Sequence, residues 1–138
     1  MKIRNSKSPY ERDLDYLLSP YSKMLFNHSV PWNTIQYNIG DCFNGGIFTA
    51  PFDGIYYFNV HARTYSNKDT DIYLQVNGSD KSRSYHKNSD SGGYDTLTLS
   101  CQFKLQKGDS VNVRYSGTFF RPDYVQWNHF EGHLISKI

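Results

Sequence analysis

Three side chains capable of acid–base and metal-binding chemistry alternate near the end of the chain: His129, Glu131 and His133. Residues two apart in a β-strand face the same side, with roughly 7 Å between successive members of such a set. The residues between them are apolar or glycine and would face the core. Histidine changes charge near neutral pH, and its imidazole binds transition metals. The spacing therefore predicts a pH- or metal-sensitive surface, with ordinary, partly solvated polar residues as the alternative.

No arrangement typical of an enzyme accompanies these residues. The sequence has no nucleophile–base motif, no glycine-rich phosphate loop and no HExxH zinc motif. Its Gly-Asp and Gly-Gly pairs lie in turn contexts. The sequence therefore predicts a protein without catalytic activity.

The two cysteines, Cys42 and Cys101, leave two alternatives open. Cys101 alternates with leucines and Phe103 on one face of a predicted strand, which favours a buried free thiol that behaves as a small apolar residue. A Cys42–Cys101 disulfide is the alternative.

Glycosylation sequons begin at Asn27 and Asn77. At Asn77, a glycan and a purely conformational role in a turn agree equally well with the sequence. At Asn27, a chance match is favoured.

Composition indicates a globular domain that makes contacts through aromatic side chains. The 138 residues suit one domain with its own core. Aromatic residues make up 17% of the chain, twelve of them tyrosine, which favours sheets and interfaces. The net charge of +2 predicts no nucleic-acid partner, and no apolar run reaches membrane-spanning length. No apolar stretch follows the basic residues at the start, which indicates a fragment of a secreted parent or a leaderless protein.

The candidate functional residues are predicted to lie on β-strands that are separated by turn sequences. Strands are predicted over residues 21–27, 34–37, 47–49, 55–62, 71–76, 81–86, 96–105, 110–115 and 126–135, with a loop or short edge strand at 41–46. Asn77-Gly78 predicts a hairpin turn. Residues 1–20 are predicted to be an arm or linker, with one short helix over 10–18 as the alternative, before a globular domain over 21–138. The strand spacing predicts an all-β sandwich, although periodicity alone does not choose among the known sandwich folds.

Residues 46–62 are the most informative stretch of the predicted sandwich. Pro51 and Asp53-Gly54 break this stretch into two strands. In the second strand, one alternating set predicts core: Tyr56, Phe58, Val60 and Ala62. The other set, Ile55, Tyr57, Asn59 and His61, carries too much aromatic and polar surface for a plain solvent-facing side. This strand is therefore predicted to be covered on both faces.

Four motifs in this sequence resemble those of the C1q globular domain, within the C1q/tumour-necrosis-factor superfamily. They are FTAPFDGIYYFNVHA from Phe48, VNG from Val76, LQKGDSV from Leu105 and FEGHLI from Phe130. They occur in the family's order, and the resemblance covers about residues 21–138. It implies a jelly-roll sandwich of about ten strands in two antiparallel sheets.

The resemblance also implies a homotrimer and a metal. In the family, the last strand pairs with the strand that carries His61, and the outer face of their sheet packs subunits around a threefold axis. The expected interface residues are Tyr57, Asn59, His61, His129, Glu131 and His133. The family's usual cofactor implies Ca2+ near the trimer axis, with Asp95 as a ligand. The family's second aspartate position holds Lys87, so Asp90 is expected to contribute through loop slippage; roles as loop and strand-start residues are the alternative for both aspartates.

The function implied by the resemblance is a secreted, extracellular recognition head, similar to those of innate immunity, that binds protein or glycan ligands through apical loops. The expected loops are residues 66–70, 87–93 and 119–124. In the last loop, four residues combine aromatic anchors with a cation, and capping of the sandwich end is the alternative: Phe119, Phe120, Arg121 and Tyr124. A structural trimerisation module of a longer extracellular chain and a cytokine-like receptor ligand are the other functions that stay open. Membrane insertion is not expected.

Overall fold

The computed structural model describes residues 25–29, 35–89, 92–119 and 127–138. Its strands, β1 to β10, are Leu25–Ser29, Ile35–Ile39, Phe43–Asn44, Ile47–Thr49, Gly54–Tyr65, Thr70–Val76, Ser79–His86, Tyr94–Leu105, Ser110–Ser116 and His129–Lys137. The described residues form no helix, and so none with the length and apolarity of a membrane span. The predicted arm over residues 1–20 lies outside the described residues.

The strands form two five-stranded sheets in which every described pairing between strands is antiparallel. The first sheet has the order β2-β1-β10-β5-β8, and the second has the order β3-β4-β9-β6-β7. The first sheet thus places the last strand beside β5, and β8 at its edge. The predicted all-β sandwich of about ten strands in two antiparallel sheets is confirmed.

Strand β5 lies between β10 and β8 in the first sheet and supplies much of the core. The chain turns between β4 and β5, where Pro51 and Asp53 were predicted to break the strand. The side chains of Tyr56, Phe58 and Val60 are completely buried. The strand continues three residues past the predicted end at position 62, to Tyr65. This extension adds further residues to the outer face of the first sheet.

Aromatic rings join the two sheets across the core. Phe48 of the second sheet packs edge-on against Tyr56 and Phe58 of the first, with ring centroids 5.3 and 5.2 Å apart. Phe58 also contacts Phe130 of β10 at 6.1 Å. Edge-to-face contacts of this kind add about 0.5–1.5 kcal/mol per pair to the gain from burial. The core therefore fixes which face of β5 and β10 points outward.

Gly54 begins β5 at a point where there is no room for a side chain. A Cβ there would lie 2.8 Å from the backbone oxygen of Ser136 and 2.9 Å from Cδ1 of Leu134. We therefore expect Gly54→Ala to destabilise the fold by about 1–3 kcal/mol, because the neighbouring strand must shift. Chemical denaturation at fixed protein concentration measures the change. Gly92→Ala is the matched control, since nothing lies within 4 Å of its added Cβ; equal stability of the two variants would contradict the steric explanation.

Both cysteines are free thiols in the structure, so the alternative of a Cys42–Cys101 disulfide is wrong. Cys42 is buried, and desolvation raises the pKa of its thiol to about 12. Cys101 is half-buried rather than buried, although Leu97, Leu99 and Leu105 on the same side of β8 are buried. Burial makes Cys42 an apolar packing residue rather than a nucleophile.

The predicted hairpin at Asn77-Gly78 is confirmed, with φ angles of 51° and 82° at these two residues. The Asn77 side chain also ties two turns together. Its Nδ2 donates to Oδ1 of Asp109 at 3.1 Å, and its Oδ1 accepts from the backbone N–H of Ser110 at 2.9 Å. These hydrogen bonds provide a conformational reason for Asn77, and its glycosylation stays a prediction.

Candidate functional site

The outer face of the first sheet brings the predicted interface residues together in three cross-strand pairs. On β10 and β5, the register pairs His129 with His61, Glu131 with Asn59 and His133 with Tyr57. All six side chains are half-buried in the single chain. We call these six residues the histidine face. The structure confirms that they share one surface; their role in a subunit interface stays a prediction.

Two of the three pairs are ring contacts. The imidazoles of His61 and His129 stack, with centroids 5.4 Å apart and an angle of 6° between the ring planes. The rings of Tyr57 and His133 are also 5.4 Å apart, with a tilt of 46°. These contacts hold each ring against its cross-strand neighbour, and the polar Asn59–Glu131 pair lies between the two ring pairs.

A chain of hydrogen bonds connects the middle of the histidine face to strand β8. The Tyr57 hydroxyl donates to Oγ of Ser100 at 3.3 Å, and Ser100 Oγ donates to Oδ1 of Asn59 at 2.8 Å. Asn59 Nδ2 then donates to Oε1 of Glu131 at 3.1 Å. His129 Nε2 lies 3.6 Å from the same carboxylate oxygen. The carboxylate of Glu131 is therefore the acceptor on which this polar network ends.

The hydrogen bond of His61 determines which of its nitrogens is available for chemistry. Its Nδ1 lies 2.8 Å from the backbone carbonyl oxygen of Trp127. Because a carbonyl only accepts, the neutral ring carries its hydrogen on Nδ1 and a lone pair on Nε2. Metal-binding histidines are often oriented in this way. Within the described part of one chain, however, no three His, Cys, Asp or Glu residues are placed to hold a metal ion together.

An arginine–aromatic cluster that was not predicted from the sequence extends the histidine face toward the end of the sandwich where β5 ends. The Arg63 guanidinium lies 5.3 Å from the ring of Tyr94 and 5.2 Å from that of Trp127. The ring of Tyr65 is 5.7 Å from that of Tyr94. Continuing the alternation of β5 past Ala62 would have placed Arg63 and Tyr65 on this face.

The predicted ligand loop after β9 requires a correction at Phe119. Its side chain is 5% exposed, it forms an isolated bridge with Thr64, and its ring packs 5.1 Å from that of Tyr115. Phe119 therefore caps the end of the sandwich and cannot anchor a ligand from this position. The other three predicted contacts, Phe120, Arg121 and Tyr124, lie outside the described residues.

The described residues do not fit a calcium site at Asp95. Calcium prefers six to eight oxygen ligands. The Asp95 carboxylate instead faces a nitrogen, with Oδ2 3.0 Å from Nδ1 of His86. Asp90, the second predicted ligand, lies outside the described residues.

Two arginine–aspartate pairs lie on the outer face of the second sheet. The Arg114 guanidinium lies 3.8 Å from the centre of the Tyr73 ring and 2.9 Å from Oδ2 of Asp80. Hydrogen bonding to Arg114 lowers the pKa of the Asp80 carboxyl. Arg83 pairs with Asp71 at 2.7 Å. These four charges are therefore paired within the chain, without a partner subunit.

Comparison with known proteins identifies relatives of this fold. The family model described as C1q domain matches residues 19–135. The globular domain of zebrafish complement 1qA superposes with a TM-score of 0.64 at 21% identity, over 84% of this chain and 99% of that one. The Eiger TNF of S. frugiperda gives 0.62 at 11% identity, over 84% and 94% of the two chains. Murine APRIL gives 0.62 at 12% identity, over 82% and 99%. A comparison with curated protein sequences finds no match.

Proposed function

Because this chain belongs to the C1q domain family, we propose that it assembles as a homotrimer through the histidine face and acts as a non-catalytic recognition head for protein or glycan ligands. The fold is the jelly roll predicted from the sequence motifs. Domains of the C1q and TNF families are trimeric recognition or cytokine-like modules, generally without enzymatic activity and typically extracellular. The proposal places this chain outside the cell, in the same role.

The composition of the histidine face is the main support for the proposed trimer. Interfaces are enriched in aromatic side chains and depleted of lysine and acidic residues. The six residues of this face include four rings, no lysine and one carboxylate, and that carboxylate already accepts a hydrogen bond from Asn59. The second sheet presents two arginine–aspartate pairs instead. The histidine face is therefore the better surface for burial against another subunit.

Ligand recognition is proposed at the apical end, defined by the loops that follow β5 and β7. These loops are bonded to each other: the Ser66 N–H donates to the Gly93 carbonyl at 3.0 Å, and the Ser89 N–H donates to the Ser66 carbonyl at 3.0 Å. The side chains of Lys68 and Lys87 are exposed there. Hydrogen bonds between the described parts of the two loops, together with exposed charged side chains, suit a binding surface.

Charge reversal at either end of the sandwich tests this placement. We expect Lys68→Glu and Lys87→Glu to weaken binding to protein or glycan ligands at least about tenfold, as for loss of one contact worth about 1.4 kcal/mol. Lys107→Glu is the matched control, because Lys107 is exposed in the β8–β9 turn at the opposite end. Ligands are first found with a glycan array and with binding of the labelled trimer to cells. Equal effects of all three substitutions would exclude apical recognition.

A cytokine-like receptor ligand is the second candidate. It is favoured by the superposition on Eiger TNF and murine APRIL, whose TM-scores are close to that of complement 1qA. Protease treatment of the cells tests this second candidate. Loss of binding after proteolysis indicates a protein partner, which both functions allow, whereas binding that persists and is competed by free sugar indicates a glycan and contradicts the receptor ligand.

A further inference from the structure

His86 lies between two oxygen atoms that belong to different parts of the apical end. Its Nδ1 is 3.0 Å from Oδ2 of Asp95, at the start of β8. Its Nε2 is 2.9 Å from the backbone carbonyl oxygen of Ser66, in the turn after β5. The His86 side chain is only 11% exposed, whereas that of Asp95 is 51% exposed. One ring at the end of β7 thus connects the edges of both sheets to an apical loop.

From this geometry we infer that His86 holds the apical loops together at the place where the family's calcium would act. A carboxylate and a backbone carbonyl are the oxygen ligands that calcium takes. In this chain both oxygens lie within 3.0 Å of a ring nitrogen of His86, so the imidazole occupies the space between them. The disagreement between Asp95 and a calcium site therefore has a specific cause. His86 is a positioning residue for the apical ligand surface, a role that rests on the proposed function.

The chemistry of the two contacts is consistent with a structural link. An ionised carboxylate and a carbonyl can only accept hydrogen bonds. The ring makes both contacts as hydrogen bonds when both of its nitrogens carry hydrogen.

Ser66 is the point at which His86 acts on both loops. Its carbonyl also accepts from the Ser89 N–H at 3.0 Å and from the Ser89 hydroxyl at 3.2 Å. The Asn88 N–H donates to Oδ1 of Asp69 at 2.6 Å, which is a second bond between the same loops. Without His86, these bonds and the bond from the Ser66 N–H to the Gly93 carbonyl remain, but the link from the Ser66 carbonyl through the imidazole to the Asp95 carboxylate is lost. Both loops should then open more often.

Hydrogen exchange of the full chain, read by mass spectrometry, tests the inference. We expect His86→Leu to raise exchange in residues 66–69 and 87–89 by roughly tenfold, as for one lost hydrogen bond, with β5 unchanged. Exchange in the wild type should be the same with excess calcium and with a chelator. If calcium slows loop exchange and a chelator reverses this, or if His86→Leu leaves the loops unchanged, the inference is wrong.

A pair of substitutions at Asp95 distinguishes the two mechanisms and does not require His86→Leu to fold. Asp95→Asn keeps an oxygen that accepts from His86, but it removes the charge that a calcium site needs. We expect Asp95→Asn to keep most of the loop protection and Asp95→Leu to lose it. Equal loss in both variants would favour a requirement for charge and contradict the inference. Sedimentation of the same samples reports the trimer separately, so failure of the proposed assembly is distinguishable from failure at His86.

Discussion

Replacing Tyr57 with lysine is expected to convert the trimer into folded monomers. Tyr57 lies near the centre of the histidine face, its ring against His133 and its hydroxyl bonded to Ser100. Aromatic residues in the middle of an interface commonly contribute about 2 kcal/mol or more, which corresponds to roughly 30-fold weaker binding at each contact. The substituted ammonium would also have to be desolvated on assembly. Sedimentation velocity at micromolar concentration measures the loss.

The fold should survive this substitution, because Tyr57 points away from the core that its neighbours Tyr56 and Phe58 fill. Far-ultraviolet circular dichroism should therefore stay close to that of the wild type. Tyr57→Phe keeps the ring and should remain trimeric. Tyr85→Lys makes the same exchange on the second sheet, at a side chain 45% exposed, and should also remain trimeric. Sedimentation of the wild type as a monomer at this concentration would contradict the proposed assembly.

The features that could be predicted from the sequence depend on local pattern. The alternation along β5 identified Tyr56, Phe58 and Val60 as core, because period-two burial is imposed by strand geometry itself. Asn77-Gly78 identified its turn, because the positive φ angles there exclude most other residues. The pairing of the histidines followed from the resemblance, since it depends on which distant strands are neighbours.

The features that could not be predicted depend on contacts between segments. Phe119 follows the end of a strand and was predicted to contact a ligand from a loop. Its backbone bridge to Thr64 instead places its side chain in the core. The contact of Asp95 with His86 arises because the connection after β7 crosses from one sheet to the other. Periodicity within a strand carries no information about such a crossing. The family motif therefore predicts a metal at Asp95 but contains no information about the imidazole of His86 beside it.

Protonation of the histidine face is expected to make the proposed trimer sensitive to acid. Two imidazolium rings at the 5.4 Å separation of His61 and His129 repel by about 3 kcal/mol at an effective dielectric constant of about 20. Glu131, with an oxygen 3.6 Å from His129 Nε2, attracts one imidazolium by roughly 5 kcal/mol at the same constant. One charged histidine is therefore compensated. Only one carboxylate occurs among the six residues of the face, so further protonation raises repulsion and the cost of desolvating the charge.

We therefore expect trimer stability to fall as the pH drops from about 7.5 to 5.5, the interval in which ordinary histidines gain charge. Burial and like charges in the proposed interface disfavour protonated imidazoles, so we expect acid to favour separation. Sedimentation across this interval should show dissociation for the wild type and a flatter profile for the His129→Gln, His133→Gln double variant. Glu131→Gln should shift dissociation to higher pH, because it removes the compensating charge while an amide oxygen still accepts from Asn59. Identical profiles for wild type and double variant would show that these histidines do not control assembly, and a trimer that gains stability on acidification would show that Glu131 dominates.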